Sequence, residues 1–269
     1  MALMLRTGWY VPVEPPDECL HLLLCAWTAV PTGRHLLVPD ACCDLLWLSS
    51  GRLVFCGPET TAWSFELPPE TTAVGIRFRP GVPSALFGLD LSQYREARVE
   101  AAEILGEETA ASWSGRIAAA GDLDSRRDVL CGLVSDRYAA ERPDPFAEAI
   151  LARLAAAPHD DVTELAAALS THPRTLHRRC LRLFGYAPST LARLLRLQRF
   201  LALASTEERP TLAGLAADSG YVDQAHLGRE CRRITGKAPA ALLSEYFSTF
   251  PDMSDPYKSG RRFGASMRI

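Results

Sequence analysis

The chain states one pattern twice. "LAAALSTHPRTLHRRCLRLFGYAP" runs from Leu165 to Pro188, and "LAADSGYVDQAHLGRECRRITGKAP" from Leu215 to Pro239. Leu165 pairs with Leu215 at an offset of 50, while Cys180, Gly185 and Pro188 pair with Cys231, Gly236 and Pro239 at an offset of 51. The slip of one residue falls where "LSTHP" faces "SGYVDQ", a turn, where an insertion disturbs least. A solenoid needs at least about three stacked units to bury its faces. Two copies therefore read as a duplicated module with a use for both.

Each copy is a short Ala/Leu helix, a tight turn and a longer Arg-bearing helix, which is the layout of a helix-turn-helix whose second helix enters the DNA major groove. At about 100° per residue, Leu176, Cys180 and Leu183 fall within one narrow sector of the first long helix. Arg174, Arg178 and Arg182 fall opposite, with His177 at the edge of their sector. In the second long helix Leu227, Cys231 and Ile234 share a face, while Arg229, Arg232 and Arg233 look away from it. Guanidinium groups on such a face suit bidentate contact with guanine or phosphate. Gln224 lies near the start of its helix, where base edges are met. A single amphipathic Arg-rich helix is ordinarily just a solvated face. Two at one spacing, each after a small Ala/Leu helix and each ended by "G-x-A-P", argue for a shared use. Gly185 and Gly236 suit left-handed C-caps.

On these residues, 160–246 resemble the DNA-binding domain of the AraC family of bacterial transcription regulators. The resemblance implies two helix-turn-helix units joined by a long helix, here 189–204 ("RLLRLQRFLALA" within it), placing two recognition helices in successive major-groove segments. It implies base contacts from Arg174, His177 and Arg178 in the first unit and from Gln224 and Arg229 in the second, with lesser candidates at Ala225 and Gly228. Arg182 and Arg232 join the DNA-binding set from the charged faces. The sequence departs from the family where aromatics usually stand, at Cys180, Leu227 and Cys231, and lacks the usual basic residue near Leu243. Gly228 offers no side chain to a base, so the second helix is expected to anchor more than it discriminates.

Charge is distributed to match. The formal charge of −3 hides −8 over residues 1–159, +3 over 160–246 and +2 over 247–269. An acidic front and a basic rear fit a chain whose rear meets a polyanion. No run approaches the ~18 apolar residues of a membrane helix, and "MALMLRTGWY" lacks the apolar core of a signal peptide, so a cytoplasmic protein with no membrane partner is expected.

The organisation reads as α+β. Residues 1–158 form a strand-rich domain with accessory helices, 159–246 an all-α domain, and 247–269 a tail expected to be disordered. Short apolar runs at "HLLLCAWTAV", "RHLLVPD", "DLLWLSSGRLVFCG", "AWSFEL" and "TTAVGIRFRPG" predict strands, with "SSGR" a hairpin turn. From Pro83 the period turns helical: "SALFGL", "LSQYREARVEAAEIL", "ASWSGRIAAA", "RRDVLCGLVSDRYAA" and "FAEAILARLAAA". "PHDD" at 158–161 marks the boundary, with Asp161 or Thr163 capping the next helix. Helices are then predicted at 163–169, 173–184, 189–204, 211–218 and 223–234, with a short one after Pro239.

"HLLVPDACCDLLW" (35–47) and "VGIRFRPG" (74–81) resemble a poorly characterised sensor-like domain found ahead of this DNA-binding domain. The resemblance implies an effector-binding or dimerisation role, so a small-molecule effector and a homodimer through the front domain join double-stranded DNA as expected partners. "RFRPG" puts Arg77 and Arg79 on one strand face, able either to clamp an anion or to pair with acidic neighbours. Cys42 and Cys43, with Cys25 and Cys56, raise a redox or metal sensor, but adjacent strand residues face opposite ways, against a shared metal site. Neither C-x-x-C nor any G-x-S-x-G, H-E-x-x-H or phosphate-binding glycine loop occurs. The reading assigns no catalytic residue, no metal ligand and no cofactor, and takes the protein as a regulator rather than an enzyme. The rival reading is a DNA-targeted repair or alkyl-transfer protein with cysteine chemistry in its front half, which would need four zinc-bound thiolates.

Overall fold

The computed structural model describes residues 9–30, 33–206 and 211–249. Residues 250–269 of the expected disordered tail lie outside them, while 247–249 belong to the helix that begins at Pro239. The chain is α+β, strand-rich in front and helical behind. Its strands are β1 (Tyr10–Val13), β2 (Leu23–Ala29), β3 (His35–Leu37), β4 (Asp44–Leu48), β5 (Leu53–Cys56), β6 (Trp63–Phe65), β7 (Ala73–Phe78) and β8 (Arg98–Glu100). Among the described residues, one antiparallel sheet runs β1-β2-β7-β4-β5-β8, and β3 pairs with β6 in a separate ribbon.

The sheet's two faces follow from the period of two along each strand. Val74, Ile76 and Phe78 of β7, Leu45 and Trp47 of β4 and Leu53 and Phe55 of β5 all point one way, into a buried cluster. Helices α1 (Val82–Phe87), α2 (Ala102–Leu105), α3 (Glu107–Ala119) and α4 (Leu123–Tyr138) follow in the chain. Trp113 and Ile117 of α3 and Leu130, Leu133 and Val134 of α4 complete that cluster. The alternate residues, among them Ala73, Arg77, Asp44, Leu46 and Cys56, face a cavity instead. Gly75 is placed by a close approach: a Cβ there would come within 2.2 Å of the Trp27 ring.

Two expectations need correction. "LSQYREARVEAAEIL" is not one helix. It divides into a short 3-10 turn at Leu91–Gln93, the strand β8 and the four-residue α2. Strand pairing overrides the helical period here, with Arg98, Val99 and Glu100 set opposite Cys56, Phe55 and Val54. β1 was not anticipated, since Pro12 interrupts the run. It is an edge strand, where a missing N–H is tolerated.

The rear helices are α5 (Pro145–Ala156), α6 (Val162–Ala168), α7 (Pro173–Phe184), α8 (Pro188–Thr206), α9 (Leu212–Asp218), α10 (Gln224–Thr235) and α11 (Pro239–Thr249). Asp161 caps α6 in a full capping box with Glu164. Asp144 caps α5 and Asp223 caps α10. The helix after Pro239 runs for 11 residues. One buried cluster joins Leu176, Cys180 and Leu183 of α7 to Leu227, Cys231 and Ile234 of α10. It also takes in Ala147, Ile150 and Leu154 of α5, and Leu36 and Ala41 from the strand region.

Candidate nucleic-acid interface

The duplication is visible in the backbone as well as the sequence. After α6, Ser170 N–H donates to the Ala167 carbonyl and Thr171 N–H to that of Ala166. After α9, Gly220 N–H donates to Ala217 and Tyr221 N–H to Ala216, the same two bonds 50 residues on. Both residues opening the turn are left-handed, Ser170 at φ 48° and Gly220 at φ 89°. The caps that follow, His172 and Asp223, are 51 apart. The slip is therefore one inserted residue, Val222, which is 82% exposed. Each long helix then ends in a left-handed glycine, Gly185 at φ 78° and Gly236 at φ 71°.

The long helices carry the two faces the spacing predicts. Leu176, Cys180 and Leu183 are buried on α7, as are Leu227, Cys231 and Ile234 on α10. Burial pushes the Cys180 and Cys231 thiols up to about 12, so both act as small core residues. Arg174, His177, Arg178 and Arg182 are all exposed on α7. On α10 Gln224, Arg229 and Arg232 are exposed, as are Ala225 and Arg233. Gly228 is buried beneath Arg232, whose Nη1 donates to the Gly228 carbonyl at 3.4 Å. So every residue assigned from sequence except the lesser candidate Gly228 stands on an open helix face, while Arg232 bends back on its own helix.

Arg179 is the residue the helical wheel did not separate, since it lies between the two faces. It is half-buried, pairs with Asp144 at 3.1 Å and stacks over the Phe146 ring at 3.8 Å. It anchors α7 to α5. Between the units, α8 holds the second turn: Arg193 pairs with Glu230 at 3.6 Å and Arg196 lies over Tyr221.

Behind this interface lies a cavity of about 380 Å³, between the sheet and the β3–β6 ribbon. Nothing in the sequence signalled it, because its lining comes from many strands. Besides strand residues it is lined by Gln198 of α8 and Tyr246 of α11. Gln198 Nε2 donates to the Pro39 carbonyl at 2.7 Å. Arg77 sits on the cavity face opposite Asp44 in the neighbouring strand. Its Nε and Nη2 donate to the Asp44 carboxylate at 3.1 and 3.0 Å, and its Nη1 meets Asp40 at 2.9 Å. Arg79 is not its partner. Lying past the end of β7, it donates from Nε to the Leu20 carbonyl. Of the two sequence readings, pairing with acidic neighbours is the one the geometry gives.

The cysteines are separate rather than clustered. Burial raises the Cys42 and Cys43 thiols well above the ordinary value, Cys25 to about 11 and Cys56 to about 12. Among the described residues no group of three or more His, Cys, Asp or Glu is placed to hold a metal, so the four-thiolate site of the repair reading finds no support. No described helix is long and apolar enough to cross a membrane.

Residues 165–245 match a family described as a helix-turn-helix domain, and residues 13–100 match one described as a domain of unknown function, DUF6597. No curated protein matches the chain. Solved structures similar to it include ToxT from Vibrio cholerae in a P21 crystal form, at 12% identity and a TM-score of 0.47, covering 82% of this chain and 97% of that one. Another is unsaturated fatty acid bound wild-type ToxT from Vibrio cholerae strain SCE256, at 12% identity and a TM-score of 0.43, covering 87% and 94%.

Proposed function

We propose that residues 165–245, an AraC-type helix-turn-helix domain, are the DNA-binding part of a transcription regulator and read two successive major-groove segments of one operator, α7 in one and α10 in the other. The observation that carries this is the matched pair of exposed arginine faces, each backed by a buried one, on helices held by a single core. α8, at 19 residues, spans about 28 Å at 1.5 Å per residue. With the widths of the flanking helices, that approaches the ~34 Å of one duplex turn.

In this reading Arg174, His177 and Arg178 meet bases, with Arg182 beside them. Gln224 and Arg229 do so from α10, and Arg232 holds phosphate. Residues 159–246 are the DNA-reading unit, 1–158 the sensing unit, and the protein works in the cytoplasm. The cavity behind the sheet is the effector site. Its support is positional: Gln198 and Tyr246 line the cavity and belong to α8 and α11, so whatever fills it touches the helices of the reading unit directly.

Selection of bound duplexes from a random library with the full chain tests the reading. Two short elements about one helical turn apart are expected. A single element, or no enrichment at low salt, would overturn it.

A further inference from the structure

Among the described residues the cavity lining carries three cations and three carboxylates, but around Arg77 two carboxylates face one cation. Its charged lining is Arg52, Arg77, Arg98, Asp40, Asp44 and Glu59. Arg98 is paired with Glu59 and lies over the Trp63 ring at 3.7 Å. Arg52 is paired with Glu100, on the edge strand and outside the cavity lining. That leaves Arg77 alone between Asp40 and Asp44, one positive charge against two negative. Three of its five N–H donors already point at carboxylate oxygens.

The site is deep enough for this imbalance to matter. Asp44 is pushed up chiefly by burial, against the pull of Arg77. Arg77, Asp40 and Asp44 each keep only about a fifth of their side-chain surface open, 19–20%. An unbalanced charge in such surroundings is costly unless a counter-charge joins it. The cysteines of the lining do not add to the negative charge, since burial raises the Cys25, Cys42 and Cys56 thiols. Around the acidic floor the walls are apolar and aromatic, including Tyr10, Trp27, Phe65 and Tyr246. Ring faces attract cations, by about 0.5–2 kcal/mol each. A volume of 380 Å³ lies within the usual span of small-molecule sites, ~300–1,000 Å³.

We propose that this cavity takes a ligand with a positively charged head on a compact apolar or aromatic body, an organic ammonium or amidinium, with Asp40 and Asp44 as its counter-charge. The proposal rests on the reading of the cavity as the effector site. An anionic ligand is disfavoured, because each arginine it could approach is already paired and the floor would repel it. A neutral ligand fills the volume but leaves the excess carboxylate unmet.

The test uses the full chain and three probes of similar size, measured by calorimetric titration: benzyltrimethylammonium, its neutral carbon isostere neopentylbenzene, and 3-phenylpropionate. The cation is expected to bind about tenfold or more tighter than the neutral isostere, and the anion weakest. Asp40→Asn should abolish the difference between cation and isostere, and Asp40→Glu should keep it. Binding of the isostere should be unchanged in both, which shows the cavity intact. If Asp40→Asn does not fold, the wild-type ranking alone decides. A wild-type ranking with the anion first, or a cation preference that survives Asp40→Asn, overturns the proposal while leaving an effector site in place. Failure of all three probes to bind overturns the effector site itself.

Discussion

The two helix-turn-helix units share a sequence pattern, a turn geometry and a buried face, yet they do not share an environment. The first is clamped to the front of the molecule. Arg179 of α7 pairs with Asp144, the Tyr186 hydroxyl donates to the Glu59 carbonyl at 2.7 Å, and Gly185 lies against Pro58 and Leu91. The second meets the strand region through the Ala62 N–H, which donates to the Ile234 carbonyl at 2.8 Å, and through α11 beside β3. Its other restraints come from α8. Duplication copied the fold of the unit, and the copies then diverged in what holds them. A change in the front of the molecule therefore has a shorter route to α7 than to α10.

If both units truly belong to one core, damage to either should be felt by both. Leu176 and Leu227 are each 0% exposed and occupy matching places. Leu176→Ala and Leu227→Ala should each cost about 2–5 kcal/mol, the usual loss for an emptied buried leucine. Urea unfolding followed by two probes, tryptophan fluorescence and helical dichroism, should give one shifted transition. Splitting into two transitions in one variant only would break the picture of a shared core and make that unit an independent domain.

The C-cap glycines isolate the difference in environment. Both have positive φ, so alanine at either pays for left-handed backbone, about 1–2 kcal/mol. At Gly236 nothing lies within 4 Å of the added Cβ. At Gly185 the Cβ would meet the Pro58 ring at 2.6 Å and the Leu91 carbonyl at 3.0 Å, neither of which yields easily. Gly185→Ala should cost about 1–3 kcal/mol more than Gly236→Ala, the range for overpacking. Equal shifts in melting temperature would mean the first unit is no more tightly held than the second.

The helices of the rear were legible because their signals are local. A run of i, i+4, i+7 apolar residues and a terminal glycine lie within a dozen positions, and Leu176, Cys180, Leu183 and Gly185 supply both. The front strands were legible for the same reason, except where a partner strand decided the matter. Val99 belongs to β8 only because Phe55 lies opposite it. The cavity was illegible. Arg77 could be placed on a strand face from sequence, but its partners Asp40 and Asp44 lie more than thirty residues away, and Gln198 more than a hundred. Which residues converge on one volume is a property of strand order, and strand order is not written in any short window.

On DNA the first unit is expected to discriminate more sharply than the second, where Gln224 and Arg229 face bases but Arg232 holds phosphate. Arg178 stands one turn after Arg174 on the exposed face of α7, and no core residue lies beneath its substitution. Arg178→Ala should cost about 1–3 kcal/mol of operator affinity and relax the preference at one operator position, as loss of a bidentate base contact does. A uniform loss across all sequences would move Arg178 to the phosphates and remove the distinction between the units.

Arg232→Ala is the smaller and finer test. Its guanidinium folds back toward the Gly228 carbonyl, and it is expected to meet the backbone of the duplex rather than a base edge. Four to six phosphate contacts in the complex would give a log–log salt slope of about −4 to −5. Removing Arg232 should weaken binding evenly on all sequences and make that slope shallower by about one. Library selection with the variant should return the wild-type operator unchanged. A new preference at a single base pair, with the slope intact, would show α10 discriminating as α7 does, and the difference between the two copies would then lie only in how each is held.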